Sequence, residues 1–378
     1  MKLKELGNTG ELVSSIGQGC MGIGGGFEKN TNFDKEFLWA LEYGIELGMT
    51  FIDTAEVYAD GHSEELVGKV AKNRRDQLFI ATKFSPENNK YNNVLLSAEK
   101  SLKRLNTSYI DLYQIHWPNP SIPIGETMMA LEKLVAQGKV RFIGLSNFSK
   151  REMEEAQSFM DINTIVSNQV EYNLFDRFIE SSIMPHCIDI GASIIAYSPL
   201  DQGHGFKNKG KSDLMNSLCK KYQKTQAQVT LNWLLTHPNV LVIPKATKKN
   251  HIEQNASASD FEMEMSDIDL ISKVFSADPI MLDPNRIRVS LDGNGNRSVY
   301  QSIEDAIANT LEMQPSPVEL ADFILQGEPT KPVRVIHNVI GGSKYDYELI
   351  EGRLRYWAWV IAYNGERDIP CYIRERVL

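Results

Sequence analysis

Cysteine is scarce in this 378-residue chain, and the four present, Cys20, Cys187, Cys219 and Cys371, lie far apart. No two stand at the spacing of a metal-ligand pair or a redox dithiol, so reduced thiols are expected rather than a disulfide framework or a cysteine-built metal site. Basic surplus is lacking too. The 40 Lys+Arg against 49 Asp+Glu leave a net charge of -9, and such a surface does not attract nucleic acid or an anionic membrane. No apolar run approaches the ~20 residues that a helix needs to span a bilayer, and no basic start leads into a signal-like stretch. A cytoplasmic location follows as the expectation, with neither nucleic acid nor membrane as partner. Also missing is a G-x-G-x-x-G opening a helix after the first strand, which counts against an open dinucleotide-binding sheet.

What the chain does have is a series of strands that finish on titratable side chains. Thr50-Phe-Ile-Asp-Thr-Ala-Glu-Val-Tyr58 reads as a short buried strand ending on Asp53, with a tyrosine five residues later. Leu78-Phe-Ile-Ala-Thr-Lys83 ends on a lysine and Asp111-Leu-Tyr-Gln-Ile-His116 on a histidine. One acid at a strand end usually caps the next helix or turn. Three successive polar ends ask for another explanation, because packing demands nothing of a strand's last residue. In parallel α/β sheets and barrels such ends share one face, where catalytic groups collect.

The surrounding pattern is an alternation of strands and helices. Asn8 and Gly10 punctuate two short runs before Val13, which predicts a hairpin. Strands are then predicted at 13–21, 49–53, 78–83, 111–116, 140–147, 164–172, 192–199 and 240–245. Helices are predicted at 34–47, from Ser63 as its cap, and at 91–105, 125–137, 150–160, 178–190, 214–222 and 226–236. Eight such units over about 270 residues suit a (β/α)₈ barrel; a doubly wound open sheet is the alternative. Near Ser276-Ala-Asp-Pro279 the rhythm breaks. The domains are therefore expected at 1–277, the barrel, and 278–378, a small α+β unit. That unit is expected to hold helices at 302–311, 317–325 and 353–363 and strands at 332–337, 347–350 and 369–373, with turns at 292–296 and 341–343. Its 11 Lys+Arg against 14 Asp+Glu over Met281 to Leu378 give no basic surface for nucleic acid.

Asp53, Tyr58, Lys83 and His116 make chemical sense as one proton-transfer site. A free tyrosine has a pKa near ~10, high for a proton donor at neutral pH. A nearby ammonium favours the phenolate and is expected to lower that value. Asp53 would fix and neutralise Lys83, and His116 would donate to a carbonyl oxygen. The group holds no nucleophile and no metal-ligand set, so no metal is expected and the reducing electrons must come from a bound cofactor.

Leu6-Gly-Asn-Thr-Gly, the phrases around Asp53, Lys83 and His116, Ile143-Gly-Leu-Ser-Asn, Ala196-Tyr-Ser-Pro-Leu and Val242-Ile-Pro-Lys together resemble an aldo-keto reductase, from Met1 to about Phe275. The resemblance implies a barrel that reduces aldehydes or ketones, small-molecule carbonyl substrates, with a nicotinamide cofactor. It implies that Tyr58 is the catalytic acid, Lys83 and Asp53 its tuning pair and His116 the orienting group. Ser146, Asn147 and Gln169 would bind the carboxamide, Tyr197 would stack on the nicotinamide, and Gly19, Met21, Ser198 and Leu200 would add cofactor contacts. Trp117 would face the substrate. The other reading of Gln169 and Asn147 is strand-end hydrogen bonding, and of Tyr197 simple core. Lys245, Thr247 and His251 fall where the family holds the adenosine phosphate, with Gln254 and Asn255 at the adenine. His251 stands where an arginine is usual, and a mostly neutral imidazole is the poorer phosphate partner, so NADP(H) is favoured and NAD(H) stays open.

Tyr347-Glu-Leu-Ile-Glu-Gly-Arg-Leu-Arg-Tyr-Trp-Ala358, after Gly327-Glu-Pro-Thr-Lys-Pro-Val-Arg-Val, resembles the strand-turn-helix of the ParB amino-terminal and sulfiredoxin superfamily. This resemblance implies a nucleotide or phosphate held by Arg353 and Arg355 at a helix start; the alternative is pairing with Glu348, Glu351 or another nearby acid. Arg353 stands at the position of the sulfiredoxin cysteine, so sulfinic-acid repair is not expected. Trp357 and Trp359 read as core or interface. The functional expectation is an NAD(P)H-dependent carbonyl reductase whose appended domain regulates it, closes its substrate site or binds a nucleotide-bearing substrate. The alternatives are a non-catalytic nicotinamide-binding redox sensor and a nucleotide-dependent switch or nuclease centred on the small domain.

Overall fold

A computed structural model describes residues 1–201, 209–275, 279–289, 300, 302–338 and 344–373. The expected turns at 292–296 and 341–343, and residues 202–208, lie outside the described residues. The chain divides into two compact units, Met1–Ser276 and Ala277–Leu378.

The first unit opens with an antiparallel hairpin, β1 (Leu3–Glu5) and β2 (Leu12–Ser14). Eight parallel strands follow: β3 (Gln18–Gly19), β4 (Phe51–Asp53), β5 (Phe79–Phe84), β6 (Ile110–Ile115), β7 (Val140–Ser146), β8 (Ile165–Glu171), β9 (Ser193–Tyr197) and β10 (Val240–Val242). They lie side by side in chain order. A parallel bridge from Ile16 to Val242 and the bond from Gly17 N to Val242 O at 2.8 Å close the last strand onto the first. The sheet is thus a curled parallel barrel of the TIM type.

Helices return the chain between strands: α1 (Asp34–Glu46), α2 (His62–Ala71), α3 (Tyr91–Leu105), α4 (Ile124–Ala136), α5 (Lys150–Ser158), α6 (Ile183–Asp189), α7 (Lys209–Tyr222), α8 (Gln226–Leu235), α9 (Lys249–Ala256) and α10 (Met265–Val274). Two of the expectations fail here. Ser63 is not a cap: α2 begins at His62 behind Gly61, whose φ of 80° only a residue without Cβ adopts cheaply. Ser63 Oγ instead sits inside the fold, donating to Cys20 O at 3.4 Å and accepting from Thr54 Oγ1 at 3.0 Å. The single helix expected at 178–190 is broken into a 3₁₀ turn (Phe178–Ser181) and α6, with Ser182 in a non-helical conformation between them.

The lumen of the barrel is filled by Phe51, Phe79, Leu112, Val166, Ile195 and Leu241, and Leu6 and Val13 of the hairpin join the same cluster. A Cβ on Gly7 would meet the Val166 and Gly191 carbonyls at 2.9 Å, which places the hairpin against the amino ends of β8 and β9. A larger apolar layer packs between the strands and the outer helices. One end of the barrel is therefore plugged, and the carboxyl ends of the strands are left to carry polar groups.

The second unit is a five-stranded mixed sheet in the order β11-β15-β13-β14-β12, built from β11 (Ile280–Leu282), β12 (Ile287–Val289), β13 (Val333–His337), β14 (Tyr347–Glu351) and β15 (Ile369–Ile373). The edge strands β11 and β12 were not legible in the sequence, being three residues each with little alternation. Helices α11 (Ile303–Ile307), α12 (Pro317–Leu325) and α13 (Arg353–Tyr363) complete the unit. α12 starts on a capping box in which Ser316 and Glu319 bond each other's backbone, with Pro317 at its first position. Trp357 and Trp359 are buried in this unit's core with Val335, Leu349 and Cys371, and their indole N–H groups donate to Tyr300 O and Arg367 O. No helix among the described residues is long and apolar enough to cross a membrane.

Candidate active site

Asp53 is the last residue of β4, Lys83 the penultimate residue of β5, and His116 follows β6 directly. Parallel register sets Asp53 opposite Ala81 and Lys83 opposite Gln114, so the three polar residues rise together at one end of the barrel. Lys83 is fully buried and Asp53 nearly so. Lys83 Nζ donates to Asp53 Oδ2 at 2.7 Å and to Thr54 O at 2.8 Å, and reaches the Tyr58 hydroxyl at 3.5 Å. Tyr58 and His116 meet edge to face, ring centroids 5.8 Å apart.

Tyr58 opens a short 3₁₀ turn that reverses through Ala59 (φ 52°) and Asp60 (φ 53°) before Gly61. Left-handed backbone at two non-glycine residues costs roughly 1–2 kcal/mol each. It is held in part by the bond from Ala59 N to Gly26 O at 2.8 Å. The turn brings the phenol back over the ends of β4 and β5.

Electrostatics of the site correct one expectation. Burial raises the Tyr58 phenol above its ordinary value; the Lys83 ammonium opposes that shift without reversing it. The phenol therefore stays protonated through the neutral range, and Lys83 limits the rise rather than producing a low value. For Lys83, burial pulls its pKa down, but Asp53 and Tyr58 together outweigh it and the ammonium persists. Burial, aided by the Lys83 charge, pushes His116 down to about 3, so its imidazole is neutral.

The expected carboxamide residues form one continuous network with this group. Gln169 Nε2 donates to Asp53 Oδ1 at 2.7 Å, and Ser146 Oγ donates to Gln169 O at 3.0 Å. Asn147, at φ 64°, donates through Nδ2 to His116 O at 3.1 Å and to Ser146 Oγ at 3.0 Å. The Tyr197 hydroxyl donates to Asn147 Oδ1 at 3.0 Å. Gln169 and Asn147 thus make strand-end hydrogen bonds that reach Asp53 and His116. Ser198 follows at φ 47°, its carbonyl accepting from Asn173 Nδ2 at 3.1 Å, and Leu200 packs on the core.

The sequence reading missed Gln114, which donates to Asp53 Oδ1 at 3.4 Å. Strand alternation could have found it, because Leu112, Gln114 and His116 share one face of the run.

Gly19 marks the crossing of β3 with the chain after β10, where a Cβ would lie 2.5 Å from Ile243 O. Lys245 is exposed, with its Nζ over Gly22, and Thr247 is half-buried ahead of α9. His251 is exposed on α9, Gln254 Oε1 accepts from Thr225 Oγ1 at 3.5 Å, and Asn255 is buried. Met21 and Trp117 are 42% and 49% exposed, large apolar side chains left uncovered beside β3 and His116. Lys248 and Lys249 stand at the start of α9, whose N-cap makes no side-chain hydrogen bond, and Lys249 Nζ lies 3.6 Å from Glu253 Oε1; a helix start of this kind suits an anion. Among the described residues no cluster of three metal-ligating side chains occurs.

The model of the Aldo/keto reductase family matches residues 15–275, the barrel with all of these strand-end groups. The chain belongs to that family. Among curated relatives of this reductase, the methylglyoxal reductase YeaE of Escherichia coli is 36% identical over 279 residues, covering 73% of this chain and 96% of its own. The glyoxal reductase of Bacillus subtilis is 33% identical over 282 residues, covering 75% and 98%. Among solved structures, a thermostable aldo-keto reductase in complex with epalrestat superposes at a TM-score of 0.70 with 40% identity, over 72% of this chain and all of its own. An aldo-keto reductase from Klebsiella pneumoniae in complex with NADPH gives 0.67 and 34%, covering 73% and 96%. The family match ends at residue 275, so the second unit stands outside it.

In the second unit, Gly352 (φ 92°) turns the chain from β14 into α13, and Arg353 is the first residue of that helix. Arg334, from β13, pairs with Glu351 Oε2 at 2.5 Å, and Arg355 lies 3.8 Å from Glu351 Oε1. Pairing with Glu351 therefore holds for Arg355. Arg353 makes no ion pair among the described residues.

Proposed function

We propose that this reductase converts a small aldehyde or ketone to the alcohol, with NADPH as the favoured reductant and Tyr58 as the proton donor. Bound NADPH supplies the hydride. The chain's residues do the rest. The protonated Tyr58 hydroxyl gives its proton to the carbonyl oxygen as negative charge develops there. Lys83, kept charged by Asp53, steadies the phenolate that remains. Neutral His116 donates a hydrogen bond to the same oxygen and orients it. Asn147 and Gln169 hold the carboxamide, Tyr197 offers its ring to the nicotinamide, and Lys245 with Thr247 takes the adenosine phosphate. A small 2-oxoaldehyde is the first substrate class to test, since two relatives bear the names methylglyoxal and glyoxal reductase.

The observation that carries this reading is the Asp53–Lys83–Tyr58 chain, 2.7 and 3.5 Å long, which a protein that only senses a nicotinamide does not need. The test is a screen of methylglyoxal, glyoxal, simple aldehydes and sugars for NADPH oxidation. Turnover of a 2-oxoaldehyde supports the proposal, and absence of NADPH binding by fluorescence titration removes it.

For the second unit, the resemblance to ParB amino-terminal domains and the turn at Gly352 support phosphate or nucleotide binding by Arg353 at the start of α13. Calorimetric titration of the full chain with nucleotides tests this. Binding weakened by Arg353→Ala is expected, and no binding by the intact chain ends the idea.

A further inference from the structure

The first turn of α2 carries a second set of buried polar bonds that the proposed chemistry does not use. Glu64 is fully buried. Its Oε1 accepts from Thr82 Oγ1 at 2.6 Å, and its Oε2 accepts from Arg104 Nε of α3 at 2.5 Å. One residue earlier, Ser63 accepts from Thr54 Oγ1 and donates toward Cys20 O. The same guanidinium arm covers Gly61, where a Cβ would lie 2.6 Å from Arg104 Cδ. Burial raises the Glu64 carboxyl, and the Arg104 guanidinium with the Thr82 and Ser101 hydroxyls opposes the rise without cancelling it.

The placement of these partners is specific. Thr54 follows Asp53, and Thr82 precedes Lys83. Alternation along β5 points Lys83 into the site and Thr82 outward to α2. The turn that carries Tyr58 runs directly into this anchored segment through Ala59 and Asp60, whose left-handed backbone persists only where its surroundings over-determine it. The 3.5 Å approach of Lys83 to Tyr58 thus joins one side chain from β5 to another from the loop that ends at the anchor.

We infer that Glu64, held between Thr82 and Arg104, is a positioning residue that fixes the Tyr58 turn against β5 and so sets the Tyr58–Lys83 approach. This rests on the reading of Tyr58 as the proton donor, but its direct consequence is a property of the phenol itself. Loosening the anchor lets Tyr58 draw away from Lys83. The cover of the ring and its distances from the Lys83 ammonium and the Asp53 carboxylate, which together set its ionisation, then all change, and its titration shifts.

The decisive variant is Thr82→Val, which removes one hydroxyl, keeps the shape and leaves the Glu64–Arg104 pair intact. Thr82→Ser restores the hydroxyl, and Glu64→Gln removes the charge. The readout is the titration of Tyr58 in the full chain, labelled at the tyrosine ring carbon and assigned by its loss in Tyr58→Phe. A shift of about half a unit or more in Thr82→Val, reversed in Thr82→Ser, is expected. With methylglyoxal and NADPH, kcat should fall about tenfold in Thr82→Val, with NADPH affinity changed less than about twofold. Thr82→Val and Glu64→Gln variants that lower the melting temperature yet leave the Tyr58 titration unmoved would overturn the inference, making the anchor structural only. If Glu64→Gln does not fold, Thr82→Val decides alone. A wild-type chain that reduces no carbonyl would remove the functional reading, yet the phenol titration would still judge the anchor.

Discussion

Lys83 and Asp53 form a buried ion pair, Nζ to Oδ2 at 2.7 Å, in which neither partner has water to fall back on. Such a pair is weak evidence for stability but costly to break, because the remaining charge is left uncompensated. Asp53→Asn or Lys83→Met should each lower stability by roughly 3–5 kcal/mol and abolish reduction. The double variant should recover part of the stability and none of the activity. Urea denaturation beside a turnover assay checks this; single variants as stable as wild type would mean the pair is solvated.

His116 gives a pH dependence of known sign. Its imidazole, at about 3 in the fold against the usual 6.5, binds fewer protons folded than unfolded between those values. The stabilisation is present above about 6.5 and is lost as pH falls through 3. Wild type should therefore lose stability more steeply across that window than His116→Gln, measured by denaturation at a series of pH values. Parallel curves would show that His116 takes up its proton without cost.

The proposed phosphate loop makes a test of cofactor choice. His251 is exposed on α9, within the positively charged stretch that begins at Lys245. His251→Arg should tighten NADPH binding about tenfold and NADH binding little, since only NADPH carries the phosphate that a guanidinium grips. Equal effects on both cofactors would place the phosphate elsewhere.

The barrel was legible because its repeating strands and helices follow a strong hydrophobic period, and the strand-end acid, lysine and histidine stand out against it. Helices such as 91–105 and 353–363 begin and end where their patterns do. The bend at Ser182 was legible and missed: Pro185 is barred from a helix interior but tolerated in a first turn, and it follows Ser181 and Ser182 at the start of α6. The left-handed backbone at Ala59 and Asp60 was not legible, since only Gly61 hints at a turn. The phenol's upward shift could not be read either. It depends on how completely the Tyr58 ring is covered, and a sequence shows which charges are near but not how much water is excluded. Gln114 was readable by alternation, since it shares a strand face with Leu112 and His116.

The central claim is that Tyr58 protonates the carbonyl oxygen during hydride transfer. It is tested most directly by mixing the NADPH complex with methylglyoxal under single-turnover conditions and following the loss of reduced-nicotinamide absorbance. Wild type should consume the bound NADPH in one phase, and Tyr58→Phe should do so about a hundredfold more slowly or not at all, with NADPH affinity unchanged. Hydride transfer at the wild-type rate in Tyr58→Phe would contradict the assignment and move the proton donor to another group.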